Sequence, residues 1–264
     1  MKKELNKQFK RLKRRENRIL NKRESKLLKS KVDPVMDKIQ SKIPDKLKIT
    51  LETVFLKGFQ LVFEKGTGYI EKTYDKDKIK LEHDLNNYRI DKEKGKKYFK
   101  KLDKQANRSK MMNSSLSILE GGVLGLLGIG LPDIPLFISV IMKNMYEIAL
   151  SYGYTYESKE EKAYILLIIS GAMVKYDRKS EFSKQIDKLA NDIDSGTHTE
   201  IDLEEQMKIT AKILSEAMLT AKFIQGIPIA GAVGGIVNYN IIRKIGKYAS
   251  LKYKKRYIFK KSRN

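Results

Sequence analysis

Nearly all of the surplus positive charge of this chain sits at its two ends. Residues 1–31 carry 14 Lys and Arg against Glu4, Glu16 and Glu24, a net +11, and residues 243–264 carry ten Lys and Arg with no acid. The 211 residues between them hold 31 basic and 29 acidic side chains, so only +2 of the net +23 belongs to the body. Like charges at that density repel one another and resist burial, so a core has to come from the middle of the chain. At 264 residues and roughly 150 per domain, that middle is long enough for one large domain. We read 1–32 as a basic amphipathic arm, 33–242 as a helical domain and 243–264 as a basic aromatic tail.

Composition removes several kinds of chemistry. With no Cys, there is no disulfide framework, thiolate nucleophile or iron–sulfur site. Two histidines, His83 and His198, leave little for imidazole acid–base pairs or zinc. At 41% hydrophobic and 33% charged residues, the chain fits neither a disordered polyampholyte nor a multi-span transporter.

In the first arm Leu5, Phe9 and Leu12 recur at i, i+4, i+7, and Ile19, Leu20, Leu27 and Leu28 roughly continue the stripe between cations that include Arg11, Arg14, Arg15 and Arg18. Such a helix suits an anionic lipid surface, nucleic-acid phosphates, or simple solvation as a charged extension. In the last segment Tyr248, Tyr253, Tyr257 and Phe259 alternate with cations that include Lys254, Lys255 and Arg256. Rings among cations fit a membrane interface, and equally single-stranded nucleic acid through stacking. No apolar run follows Lys2 and Lys3, so a secretory signal is not expected and a cytoplasmic start is.

Helix punctuation runs through the body. The spacing of Leu51, Val54, Phe55, Phe59, Val62 and Phe63 predicts a helix from about 46 to 65, ending near Gly66 and Gly68. Residues 72–110 are dense in Lys, Asp and Glu with a thin apolar line (Ile79, Leu81, Leu85, Tyr88), consistent with an exposed helix or a helix plus linker broken at Gly95 that serves as a solvated connector. Asp133 and Pro135 open an apolar helix, with Asp133 as its cap, and Gly153 stops it. Ser158–Glu161 forms a capping box, Ser195-Gly196 a stop, and Thr199 with Asp202 a further start toward Gln225. The uncharged stretch 223–242 is long enough for ~30 Å of helix. Its Gln225, Pro228, Asn238, Asn240 and several glycines favour a packed or half-inserted hairpin over a membrane span. Gly121 and Gly125, like Gly231 and Gly235, are four apart, a spacing that lets helix backbones meet closely.

Few motifs carry chemistry. Gly125, Gly128 and Gly130 follow the order G-x-x-G-x-G with no preceding strand and no Lys, unlike a phosphate loop. Asp192-Ile193-Asp194-Ser195-Gly196 lacks the spacing of a calcium loop and reads as a helix-ending turn. Glu120 and Asp133 lie in apolar surroundings, where they serve either as helix-end partners or as an acid–base pair. Asn238 and Tyr239 read as internal hydrogen-bonding groups. No catalytic residue, cofactor or metal ligand is expected.

Taken in order, Ile43-Pro44-Asp45-Lys46-Leu47, the run Gly121 to Gly128 with Pro132-Asp133-Ile134-Pro135, Ile148 to Tyr154 before Glu160-Glu161, and Ile227 to Gly235 with Asn238-Tyr239 resemble the bacterial EcsC protein family. The likeness runs from about Asp33 to Phe259. It implies an all-helical fold and a setting near ABC-transporter components, and it transfers no catalytic position. The expectation is a mainly α, single large helical domain with a Gly-rich apolar helical hairpin core and a basic amphipathic N-terminal helix. In function it is a non-enzymatic, cytoplasmic accessory protein, peripheral at the inner membrane face. Its partner is an anionic membrane surface or a membrane protein such as an ABC transporter. Nucleic acid is the alternative, and a lipid or small molecule in the glycine-rich core is the third. The oligomeric state is left open.

Overall fold

The computed structural model describes residues 2–20, 43–93, 96–108, 133–224 and 235–263, and the described residues are helical without a strand. In chain order the helices are α1 (Lys2–Leu20), α2 (Asp45–Leu61), α3 (Thr67–Glu71), α4 (Lys76–Glu93), α5 (Lys96–Arg108), α6 (Asp133–Ser151), α7 (Lys159–Met173), α8 (Lys179–Ser195), α9 (Leu203–Ile224) and α10 (Gly235–Arg263). The all-α expectation holds.

α6 is the centre. Ile138, Ile141, Met142, Met145, Tyr146, Ile148 and Ala149 are fully buried, because α2, α4, α5 and α10 enclose the helix on different sides. Ile134–Ser151 is the one described helix long and apolar enough to cross a membrane, and 89% of it is buried in protein. Each buried Ile or Met contributes about 1.5–3 kcal/mol of apolar transfer. That enclosure identifies it as a core helix. α7 forms a second apolar post: Tyr164 to Ile169 are buried on every side by α8, α9 and α10.

Local signals place several ends correctly. The Ser158 side chain accepts from the Glu161 amide at 3.2 Å and caps α7. Gly196 takes φ of +66° and closes α8, as a left-handed residue after a helix should. Gly153 closes α6 with φ of +79°. The start of α9 is capped by Asp202, whose Oδ1 accepts from the Glu205 amide at 2.9 Å, and Thr199 lies outside the helix.

Three expectations change. The helix from Asp45 does not stop at Gly66; it passes through a π turn (Val62–Gly66) into α3, and the Thr67 hydroxyl reaches back five residues to the Val62 carbonyl at 3.1 Å. Residues 76–93 and 96–108 are helices, as expected, but packed ones rather than a solvated connector. Ile90, Phe99, Leu102 and Ala106 are buried, and both helices lie on α6. The largest correction concerns the C-terminus. Residues 243–263 are not a tail but the greater part of α10, which packs against α6, α7, α8 and α1. Tyr248, Leu251, Tyr253, Tyr257 and Ile258 are buried there, so three of the four aromatics that suggested a membrane interface face the core, while Phe259 is exposed. α10 crosses α6 closely at Gly246, where a Cβ would stand 2.6 Å from the Asn144 Nδ2.

Candidate functional site

The cations of α10 meet acids drawn from distant parts of the chain. Arg256 is 4% exposed. Its guanidinium donates to both Glu161 oxygens at 2.8 and 2.9 Å and to both Asp194 oxygens at 2.9–3.1 Å. The same group lies over the rings of Tyr154 at 4.1 Å and Tyr164 at 4.9 Å. Glu161 is thus drawn away from the reciprocal half of the capping box. Lys252, with a fully buried side chain, donates to Glu16 at 2.6 Å, the Ser183 hydroxyl at 2.6 Å and Asp187 at 3.0 Å. Lys255 bridges the other oxygens of the same two acids at 2.7 and 2.6 Å. Burial alone would raise the Glu16 pKa, but Lys252 and Lys255 more than offset it and hold the carboxyl below the usual range. Lys254 donates to Asp103 Oδ2 at 2.6 Å. Lys254, Lys255 and Arg256, expected to reach an external anion, are therefore committed to internal carboxylates. A buried cation left without a partner would be too costly.

The N-terminal helix is different on its two sides. Leu5 and Leu12 are buried, Phe9 is half-buried, and Glu16 carries the ion pair to α10. The apolar stripe expected to contact an anionic lipid surface is consumed by packing on α10. The opposite side exposes Lys3, Lys7, Lys10, Arg11, Lys13, Arg14, Arg15 and Arg18. Only two acids stand against them on this helix. Glu4 is half-buried and accepts from Gln8 Nε2 at 2.8 Å, and Glu16 is buried. Beside this helix a cleft of about 230 Å³ is lined by Gln8, Arg11, Leu12, Arg15, Lys100, Asp103 and Lys254, from α1, α5 and α10. Here Arg11, Leu12, Arg15 and Lys254 come together, while Arg14 and Arg18 stand outside the cleft. Lys100 and Asp103 belong to the stretch the sequence reading assigned to a connector.

Among the other candidates, Glu120, Gly121, Gly125, Gly128 and Gly231 lie outside the described residues, as do residues 225–234 of the hairpin expected at 223–242. Asp133 begins α6, Pro135 is buried in its first turn, and Gly235 begins α10. Asn238 is half-buried, with no partner for Oδ1 among the described residues, and Tyr239 is 49% exposed rather than internal. No group of three metal-ligating side chains occurs among the described residues. Asp194, considered above as part of a loop, serves Arg256.

An all-α body with a buried ionic core and one cationic face defines the class. The EcsC protein family model matches residues 6–258, and the chain belongs to that family. Searches of curated proteins and of solved structures found no match.

Proposed function

We propose that this protein is a non-enzymatic accessory protein that docks on the anionic inner face of the cell membrane through the outward side of α1. One observation carries the reading: eight exposed Lys and Arg lie on one helix with only two acids, of which Glu16 is buried against α10. Near a surface rich in anionic lipid each such cation contributes about 1 kcal/mol. Half of them in contact would hold the protein reversibly. Since the apolar side of α1 is buried on α10, attachment is electrostatic and superficial, without insertion. A partner embedded in the same membrane, an ABC transporter component by the family resemblance, would then be met at the headgroup layer.

The test is co-sedimentation of the full chain with phosphatidylserine-containing vesicles and with pure phosphatidylcholine vesicles, alongside a gel shift on duplex DNA. Pelleting with the anionic vesicles alone supports the reading. Equal pelleting with both, or DNA binding without vesicle binding, contradicts it.

A further inference from the structure

The cleft between α1, α5 and α10 holds more cations than its own acid can satisfy. Asp103 is already committed: Oδ2 accepts from Lys254 at 2.6 Å, and Oδ1 from the Tyr152 hydroxyl at 3.0 Å. Arg11, Arg15 and Lys100 have no carboxylate partner among the described residues. On the buried side of α10, Lys252, Lys255 and Arg256 are matched by Glu16, Asp187, Glu161 and Asp194. In the cleft the unmatched cations converge on a concave site instead of standing apart on a convex helix face. Arg11 and Arg15, four apart on one helix, line the same wall, and Lys100 stands one turn before Asp103 on another.

We propose that this cleft binds a phosphomonoester group. Two guanidinium forks and an ammonium from a second helix suit a tetrahedral, doubly charged oxyanion, because each fork donates two parallel hydrogen bonds and the ammonium adds a point charge. A singly charged diester would leave two of the three unpartnered cations uncompensated. At ~30 Å³ per water in the liquid, 230 Å³ is the space of seven or eight waters, room for a phosphoryl group and the first carbons of its ester over the Leu12 side chain. The inference sharpens the surface-docking reading to one pocket and rests on it only for the source of the phosphate, a lipid headgroup or a soluble ester.

The experiment titrates the full chain with inorganic phosphate by calorimetry at constant ionic strength. In parallel it measures binding to phosphatidic acid vesicles and to charge-matched phosphatidylserine vesicles. The double variant Arg15→Gln with Lys100→Gln keeps good helix formers at exposed sites, and Lys188→Gln on α8 is the control. Circular dichroism checks that all three fold alike. Saturable phosphate binding, weakened about tenfold or more in the double variant and unchanged in the control, is the expected result. A preference for phosphatidic acid that the double variant loses assigns the headgroup. Phosphate binding with no difference between vesicles assigns a soluble ester. Phosphate binding with no attachment to either vesicle sinks surface docking and leaves the cleft. Non-saturable phosphate binding by the unmodified chain, or an equal loss in the control, overturns the proposal.

Discussion

Arg256 shows how one side chain governs stability. Its guanidinium satisfies Glu161 and Asp194, whose side chains are 7% and 13% exposed, and replacing it strands both. Arg256→Ala should cost about 3–5 kcal/mol, read as a fall in the urea midpoint. Arg256→Lys should recover only part of that, because an ammonium cannot fork to two carboxylates while lying over two rings. Glu161→Gln, which keeps a hydrogen-bonding group of the same shape, should cost less than Arg256→Ala; equal losses would mean that the charge pairing is incidental. His83 makes a second residue-scale prediction. It is buried and its Nδ1 lies 3.1 Å from the Ser151 carbonyl. Burial lowers its pKa below the ordinary histidine value, the Ser151 carbonyl and Asp84 opposing. The unfolded chain therefore takes up the proton first as pH falls, and stability is lost below about pH 6.5. Between pH 7 and 5.5 the urea midpoint should fall, and His83→Gln should flatten that slope; an unchanged slope would remove His83 as its source. Gly153 faces the same ring: a Cβ there would stand 2.3 Å from Nε2, at φ of +79°.

At the scale of elements, the ends of helices were legible because they are decided within a few residues. Ser158 caps α7, and Ser158→Ala should cost about 1 kcal/mol in the urea midpoint. Asp202→Ala should cost a similar amount at α9, and Thr199→Ala nothing measurable, since the Asp202 carboxylate is the cap. What could not be read locally is where α10 goes. Lys252 finds Glu16 across 236 positions, and Arg256 finds Glu161 across 95. A run of cations looks the same whether it faces water or a set of acids supplied by other helices. The signal that was present, Ser183, Asp187 and Asp194 at i, i+4, i+11 on one side of α8, only acquires meaning once α10 is placed against it. Likewise 72–110 reads as solvated because its apolar positions, Phe99, Leu102 and Ala106 among them, are thin within a dense field of Lys and Asp.

For the whole molecule, the segregation of charge seen in the sequence survives in full at one end only. Of the C-terminal cations, Lys252, Lys254, Lys255 and Arg256 are drawn into the body while Arg243, Lys244, Lys247, Lys260 and Arg263 stay exposed, and the N-terminal helix keeps its cations outside while its Glu16 anchors it to α10. Glu16→Ala would leave Lys252 buried with one acid fewer, at a cost of about 3 kcal/mol. Amides of α1 should then exchange with solvent faster than those of α6, which gains nothing from that pair. The most direct measurement is a salt titration of binding to phosphatidylserine vesicles, comparing the unmodified chain with Lys10→Gln, Arg14→Gln, Arg18→Gln combined. These three residues are exposed and outside the cleft. Attachment through the outward side of α1 predicts release of the unmodified chain as NaCl approaches about 0.5 M, where screening is felt within a few ångströms. It also predicts much weaker binding of the triple variant at low salt, with an unchanged urea midpoint. Attachment that persists in high salt, or that the triple variant retains in full, would contradict it.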